Sequence, residues 1–315
     1  MDKKTLELFG TEVKNGLLPP QKSLSSKWFY DEIGDKLFID IMNMPEYYLT
    51  NCEFEILSKQ TPEVISAFGI SKEPFDLYEL GAGDGTKTME LLKSLQGYDF
   101  TYRPIDISIH AIDSLTQRVT RDLPNIKVEC AQGEYFEVLG SLNQSKPKII
   151  LFMGSNIGNM LDERANAFLK ALSMTMNAGD KLLLGVDLKK ASAIVLPAYN
   201  DKQGITAKFN LNLLHRINCE LDGNFDLIAF EHAPLYDEER GWAMSFIKSK
   251  STQQVHIKAL DTLVDFDEGE TIFMEVSRKY DDMSIANITQ DTGLQIVEKF
   301  YDSKNYFCDI VFEKQ

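Results

Sequence analysis

The stretch that decides the fold of this chain reads Leu77-Tyr78-Glu79-Leu80-Gly81-Ala82-Gly83-Asp84-Gly85-Thr86-Lys87-Thr88. It predicts a buried strand, a glycine turn and a helix that begins near Thr86. Glycine accepts a positive φ and places no side chain between the backbone and whatever lies above the turn. The N-terminus of the helix beyond it offers unpaired N–H groups to a polar ligand. Such turns also occur simply for packing, so the turn alone leaves both interpretations open.

An acidic residue further along the chain favours ligand binding. Asp106 lies 25 residues after Gly81, at the end of the next apolar run. An acidic residue about 20 residues after such a turn, at the tip of the second strand, is placed to accept both hydroxyls of a ribose. The chain is therefore expected to bind a nucleoside cofactor.

The spacing of the glycines indicates which cofactor this is. Dinucleotide-binding turns follow the pattern G-x-G-x-x-G, whereas Gly81, Gly83 and Gly85 follow G-x-G-x-G. This spacing, with Glu79 before it, favours S-adenosylmethionine and disfavours a nicotinamide oxidoreductase. Glu134 and Tyr135 follow a third strand-like run and are suited to an adenine amino group and ring face, although Glu134 would serve equally well as a helix cap.

Composition excludes several classes of function. The net charge is −15, with 48 acidic against 33 basic residues, and no basic run compensates locally. We therefore expect no nucleic-acid partner and no anionic membrane partner. The four cysteines are scattered, and the four histidines show no ligand spacing, so no metal site is expected. No signal-peptide pattern opens the chain and no apolar run is long enough to span a bilayer, which predicts a cytoplasmic protein. The sequence says nothing about oligomeric state, and a monomer is consistent with it.

The chain is expected to form two closely packed domains. Strand–helix alternation runs from about residue 75 to about residue 187, with strands predicted at 75–80, 100–105, 126–131, 147–153 and 180–186. The later strands are continuous apolar runs, which is typical of a parallel sheet buried on both faces. After Lys190 the pattern changes to the polar–apolar alternation of antiparallel strands, and a final hairpin could complete the first sheet. The prediction is an α/β Rossmann-like methyltransferase domain (53–189 plus 281–315) and a second, α+β substrate-binding domain (1–52 plus 190–280).

Blocks along nearly the whole chain resemble one family, the histidine-specific N-α-methyltransferases of ergothioneine biosynthesis. The family also contains fungal enzymes that methylate tryptophan derivatives. The blocks, in family order, include Lys27-Trp28-Phe29-Tyr30-Asp31-Glu32-Ile33-Gly34, Met44-Pro45-Glu46-Tyr47-Tyr48-Leu49-Thr50 with Glu53, Phe152-Met153-Gly154-Ser155-Asn156-Ile157-Gly158-Asn159, Ala198-Tyr199-Asn200-Asp201, Phe230-Glu231-His232 and Met274-Glu275-Val276-Ser277-Arg278-Lys279-Tyr280.

The resemblance implies a role for particular residues. Those that would hold S-adenosylmethionine are Gly81, Lys87, Asp106, Glu134, Tyr135, Gly154 and Phe38. Those that would hold the α-amino and α-carboxylate groups of the amino acid are Tyr47, Asn159 and Tyr199, with Tyr47 and Asn159 as the catalytic pair. Glu275 and Ser277 would bind the imidazole, and Ser245 aligns with a family methionine that lies against the substrate ring.

The chemistry of these residue types agrees with the implied roles. A neutral imidazole needs an acceptor and a donor on opposite edges, and residues two apart on a strand share one face. An indole would leave Glu275 or Ser277 unpaired, so the pair favours histidine. The small Ser245 favours a bulkier ring, which keeps tryptophan as an alternative acceptor. A silent binding module is the third hypothesis. Less specific interpretations are that Asn159 caps the helix that starts near Leu161 and that Trp28, with its aromatic neighbours, packs domains together.

Overall fold

A computed structural model describes residues 3–70, 73–133, 135–138, 140 and 145–315. Within these residues the α-helices are α1 (Lys3–Leu17), α2 (Glu32–Met42), α3 (Tyr48–Phe68), α4 (Thr88–Ser94), α5 (Ile109–Asp122), α6 (Tyr135–Val138), α7 (Asp162–Met174), α8 (Ser192–Tyr199), α9 (Ile205–Leu221) and α10 (Asp282–Thr289). The strands are β1 (Lys22–Ser23), β2 (Phe75–Leu80), β3 (Phe100–Asp106), β4 (Lys127–Val128), β5 (Ala131–Gln132), β6 (Lys148–Phe152), β7 (Lys181–Asp187), β8 (Phe230–Asp237), β9 (Trp242–Ser249), β10 (Gln253–Ile257), β11 (Thr262–Phe266), β12 (Thr271–Arg278), β13 (Leu294–Tyr301) and β14 (Phe307–Lys314).

The chain divides into two compact units, each made of two separate segments. The first unit comprises Met1–Tyr47 and Ala191–Ser277, and the second comprises Tyr48–Lys190 and Arg278–Gln315. The three breaks between these segments follow Tyr47, Lys190 and Ser277, and the sequence analysis predicted breaks after residues 52, 189 and 280.

The second unit is built around one mixed sheet with the strand order β13-β14-β7-β6-β2-β3-β4. Strand β5 also pairs with β3, further along that strand than β4 does. Strands β7, β6, β2, β3 and β4 run parallel to their neighbours, whereas β14 is antiparallel to β7 and to β13. This is the α/β, Rossmann-like methyltransferase arrangement that the sequence predicted, with the final hairpin completing the sheet.

Helices cover both faces of this sheet, because alternate side chains of each buried strand point to opposite faces. On one face Ile150 and Leu182 pack with α7 and α10 through residues such as Phe168. On the other face Leu151 and Leu183 pack with α3, α4 and α5. Each fully buried leucine or isoleucine contributes about 1.5–3 kcal/mol of transfer free energy, which favours the apolar runs 149–152 of β6 and 182–184 of β7.

The first unit has its own sheet, with the strand order β1-β12-β9-β8, and a separate ribbon of β10 and β11. Its core brings the N-terminal segment against α9. The Phe29 and Phe209 rings lie 4.8 Å apart, and Arg216 donates to the carbonyl of Trp28 at 2.8 Å. Trp28 and Phe29 are therefore buried within this unit's core.

Two predicted features differ from the observed elements. The predicted strand 126–131 is two short pieces, β4 and β5, each of which pairs only with β3. The alternation after Lys190 indicated antiparallel strands but gave no sign of α8 and α9, which precede them. None of the helices that the structure describes is both long and apolar enough to cross a membrane.

Candidate active site

The glycine turn that follows β2 is closed on one side and open on the other. Gly81, Gly83 and Gly85 have φ values of 71°, 56° and 66°, which L side chains rarely adopt. A Cβ on Gly85 would overlap the side chain of Leu115 in α5, whereas no described atom outside the turn lies within 4 Å of the Cβ position of Gly83. The open backbone at Gly83 fits the close approach of a nucleoside ligand.

Asp106 lies beside this turn and holds it in place. Its Oδ2 accepts a hydrogen bond from the Gly83 N–H at 3.0 Å, and its Oδ1 accepts one from the Ser108 N–H at 2.9 Å. A carboxylate has about four acceptor sites, so these bonds are compatible with ribose recognition. The structure thus brings the glycine turn and Asp106 together, as the sequence predicted.

Lys87 stands at the N-cap position of α4 and is paired with a buried carboxylate. Its Nζ donates to Glu53 of α3, and the same carboxylate accepts the Gly154 N–H at 2.7 Å. Burial lowers the pKa of Lys87, but the Glu53 carboxylate, together with the acids around it, more than offsets this effect, so its pKa is raised. Glu53 therefore joins two predicted cofactor residues from separate loops.

The loop after β6 carries Asn159 and contains a strained pair of residues. Gly154 and Ser155 have φ values of 73° and 56°, and the Ser155 hydroxyl accepts the N–H of Asp187 at 3.1 Å. A 3₁₀ turn, Asn156–Asn159, follows and leaves Asn159 exposed. The N-cap position of α7 is Leu161 and has no side-chain cap, so Asn159 does not cap this helix.

The predicted adenine contacts fall largely outside the described residues. Glu134 is not among them, and only the backbone of Tyr135, the first residue of α6, is described. Their roles stay predictions.

In the first unit the predicted substrate residues Tyr199 and Ser277 meet directly. The Tyr199 hydroxyl, at the end of α8, donates to the Ser277 Oγ on β12 at 2.8 Å. Glu275 lies two residues before Ser277 on the same strand, so strand alternation places the two side chains on one face. Phe273 shares that face.

Ser245 is buried in β9 between Ala243 and Ile247, and strand alternation places these three residues on one face. Ala243 packs with Val195 of α8, and Ile247 joins the buried core of the unit. The role of Ser245 at the substrate ring stays a prediction.

The aromatic residues Phe38 and Tyr47 pack against the core of the first unit and stay partly exposed. Phe38 contacts Phe209 and Tyr30, with ring centroids 5.9 and 5.6 Å apart. Packing accounts for the ring of Phe38, and its cofactor role stays a prediction.

The histidines are not grouped around any site. Burial lowers the pKa of His232 to about 4, so that it is neutral at physiological pH. Among the residues that the structure describes, no group of three or more His, Cys, Asp or Glu side chains could hold a metal ion.

Comparison with known proteins decides the family. A family model described as "Histidine-specific methyltransferase, SAM-dependent" matches residues 9–314. The chain belongs to this family. The methyltransferase therefore uses S-adenosylmethionine as its methyl donor, and the family resemblance predicted from the sequence blocks is confirmed.

Relatives of this methyltransferase cover nearly all of its length. It is 35% identical to a histidine N-alpha-methyltransferase of Mycolicibacterium smegmatis, over 92% of this chain and 89% of the relative. A histidine N-alpha-methyltransferase of Mycobacterium tuberculosis is also 35% identical, over 94% and 92% of the two chains. An L-tryptophan methyltransferase of Psilocybe serbica is 27% identical, over 94% and 90%.

The sequence missed two residues that the geometry brings to the predicted cofactor residues of the second unit. Glu53 belonged to a quoted family block but had no role, and Asp309 carried no signal.

Proposed function

We propose that this methyltransferase transfers methyl groups from S-adenosylmethionine to the α-amino group of free L-histidine, in as many as three steps, to give trimethylhistidine. The observation that carries the choice of histidine is the shared face of Glu275 and Ser277, with Ser277 already hydrogen-bonded to Tyr199 at 2.8 Å. The histidine N-alpha-methyltransferases at 35% identity support it.

Glu275 and Ser277 would recognise the two ring nitrogens. The Glu275 carboxylate accepts from the protonated nitrogen, and the Ser277 hydroxyl donates to the other. An indole has a single N–H and leaves one partner unsatisfied, at a typical cost of about 1–3 kcal/mol. The small residue at Ser245 favours a bulkier ring and keeps tryptophan as the alternative acceptor.

The second unit would hold the methyl donor. The turn at Gly81–Gly85 and Asp106 would take the nucleoside, and Lys87 and Gly154 would lie at its amino-acid end. When bound, S-adenosylmethionine supplies a methyl group already activated by a positive sulfur. The protein then mainly has to align the reacting atoms and exclude water, and alignment supplies several kcal/mol, up to about 7–11 in ideal cases.

The acceptor amine has to lose a proton before each transfer. We assign its orientation to the Tyr47 hydroxyl and the Asn159 amide. Asn159 accepts or donates hydrogen bonds but is not a base, so the Tyr47 oxygen or a water molecule takes the proton.

Tyr47→Phe tests the proposed role of the hydroxyl. We expect a lower kcat and an altered pH profile of kcat, because the hydroxyl no longer orients the amine or relays its proton. Steady-state kinetics from acid to alkaline pH measures both. Tyr30→Phe, in the same unit, is the matched control. An unchanged profile would exclude Tyr47 from proton transfer.

The reaction itself is tested by incubating the protein with S-adenosylmethionine and a panel of free amino acids, and reading products by mass spectrometry. We expect histidine to gain one, two or three methyl groups. Methylation of tryptophan alone would assign the chain to the other branch of the family. No product with any amino acid would favour a binding module.

Glu275→Gln tests ring recognition. We expect the KM for histidine to rise roughly ten- to a hundredfold, because a hydrogen bond to a charged acceptor contributes about 1.5–3 kcal/mol, while the KM for S-adenosylmethionine changes little. Glu268→Gln changes an exposed glutamate of the same unit and should behave as the wild type. If the two variants gave the same KM for histidine, Glu275 would not contact the ring.

A further inference from the structure

A completely buried glutamate links the two loops that we assign to the cofactor. Glu53 has no exposed surface. One of its oxygens accepts the Gly154 N–H at 2.7 Å, and the other is paired with Lys87. Lys87 belongs to the loop after β2 and Gly154 to the loop after β6, so a single side chain on α3 sets the separation of both.

A second carboxyl group, Asp309 of β14, lies beside Glu53. Asp309 is also without exposed surface. Both carboxyl groups crowd the position where a side chain of Gly185 would begin: a Cβ there would overlap Glu53 and lie 3.1 Å from the Asp309 Oδ1. The absence of a side chain at Gly185 is what leaves room for the two acids.

If both carboxyl groups were ionised, Asp309 would have no hydrogen-bond donor. Neither oxygen of Asp309 has a hydrogen-bond donor among the described residues. Leaving a buried charged oxygen unpaired is costly, and a proton on one carboxyl group supplies the missing donor. Burial, followed by the neighbouring Glu53, raises the pKa of Asp309 well above its usual range.

We propose that Glu53 and Asp309 form a proton-sharing carboxyl pair that positions the cofactor loops, Asp309 donating its proton to Glu53 and Glu53 holding Lys87 and the Gly154 amide. Both are positioning residues, and the inference rests on the proposed cofactor role of Lys87 and Gly154. With one proton on the pair, the cluster of Glu53, Asp309 and Lys87 is neutral. The Lys87 ammonium group has three N–H donors, so it can donate to the carboxylate of a ligand as well as to Glu53.

Loss of the shared proton to solvent at high pH would change this balance. Two carboxylates would then compete for one ammonium group and repel each other. Other titratable groups lie near the cluster. Glu79 on β2 interacts with both Lys87 and Glu53, Tyr102 on β3 is hydrogen-bonded to Glu79, and Cys308 is the chain neighbour of Asp309 on β14. Of these, Glu79 has a pKa raised by burial to about 7, and it has to be separated from Asp309 in any measurement.

The test measures binding of S-adenosylhomocysteine to the full chain by titration calorimetry, from about pH 6.5 to about pH 9.5. The variants are Glu53→Gln, Asp309→Asn and Lys87→Met. Asp180→Asn is the matched control, because Asp180 is a buried acid paired with Lys148 at 2.9 Å but precedes the start of β7, whereas Asp309 pairs with Gly185 further along that strand. Thermal unfolding of each variant checks that it is folded.

We expect Glu53→Gln to weaken binding roughly ten- to a hundredfold at neutral pH, the size of a lost charged hydrogen bond. The ratio of the wild-type Kd to the Asp309→Asn Kd should rise with pH, because only the wild type has this proton to lose. Taking the ratio cancels titrations common to both proteins, including that of the ligand amine. Asp180→Asn should follow the wild type.

A spectroscopic measurement keeps the proposal testable if Asp309→Asn does not fold. In Glu79→Gln, which lacks the other buried carboxyl group with a raised pKa, the infrared spectrum at neutral pH should retain a protonated-carboxyl band that disappears as the pH is raised. Absence of this band, or a ratio of Kd values that stays flat with pH, would overturn the carboxyl pair. If Lys87→Met left the affinity unchanged, the proposed cofactor site itself would be wrong, which is a separate result.

Discussion

Single buried acids determine how this protein responds to pH. Glu79 in β2 is 2% exposed and accepts hydrogen bonds from the hydroxyls of Thr88, at 2.5 Å, and of Tyr102. Burial raises the pKa of Glu79 to about 7, although both hydroxyls oppose the shift. Through Thr88, Glu79 holds the first residue of α4. At neutral pH Glu79 is partly protonated.

Glu79→Gln should remove a pH dependence of stability. A carboxyl group with a raised pKa holds its proton more tightly in the folded state, so the free energy of unfolding falls as pH rises from about 4.5 to about 7 and is constant above. This contribution amounts to at most about 3 kcal/mol. The stability of Glu79→Gln relative to the wild type should therefore increase between about pH 5 and about pH 8.

Urea unfolding of both proteins at the two pH values measures this difference in the free energy of unfolding. The titrations of groups common to both proteins cancel in it. Glu298→Gln, an exposed glutamate of the same unit, is the control and should show no change. A difference between Glu79→Gln and the wild type that did not vary with pH would mean that Glu79 titrates normally.

At the scale of elements, two glycines of the same turn are expected to have different roles, Gly85 in the stability of the fold and Gly83 in ligand binding. Gly83 and Gly85 both have positive φ, so alanine strains the backbone by about 1 kcal/mol at either position. At Gly85 the added Cβ would also overlap Leu115, whereas the space at Gly83 is open on the described side.

Gly85→Ala should therefore destabilise the fold by about 2–4 kcal/mol. Gly83→Ala should cost about 1 kcal/mol but weaken binding of S-adenosylhomocysteine roughly tenfold or more, because the new methyl group stands where the ligand approaches. Thermal unfolding and titration calorimetry distinguish the two effects. If Gly83→Ala and Gly85→Ala lost the same affinity and the same stability, the cofactor would not approach the backbone at Gly83.

Elements with strong local signals were predicted well. Strands β6 and β7 are buried on both faces, so each contains a continuous apolar run that predicts it from the sequence. The strand predicted at 126–131 is broken because β4 and β5 each have one neighbour and mostly exposed or partly exposed side chains. The helix α9 escaped prediction because its inward face contains polar residues. Among them are Asn210, whose amide donates to the Thr206 carbonyl one turn earlier, and Arg216, which donates to the carbonyl of Trp28.

At the scale of the whole molecule, each unit depends on segments that are far apart in the chain. The first unit joins 1–47 to 191–277 through the packing of α9 on the N-terminal segment. Phe209 is central to this packing, since its ring contacts those of Phe29, Tyr30 and Phe38 at centroid distances of 4.8, 5.8 and 5.9 Å.

Phe209→Ala should destabilise the first unit by about 3–5 kcal/mol, the usual cost of removing a buried phenylalanine. Ile228→Ala is the matched control, because Ile228 is 81% exposed in the same unit and should change stability by less than about 0.5 kcal/mol. Calorimetric unfolding measures both. If Phe209→Ala were as stable as the control, the two segments would not depend on this contact.

The sequence by itself determined the strand–turn–helix at Gly81–Gly85, the buried parallel strands, the family and the methyl donor. These features depend on residue types within a short window, where backbone conformation and hydrophobic period are local properties. Only the tertiary structure decided that Glu53, Lys87, Gly154 and Asp309 form one cluster, and that the Tyr199 hydroxyl meets Ser277. Such contacts join residues up to 256 positions apart, and they arise from strand order and packing, which no local pattern records.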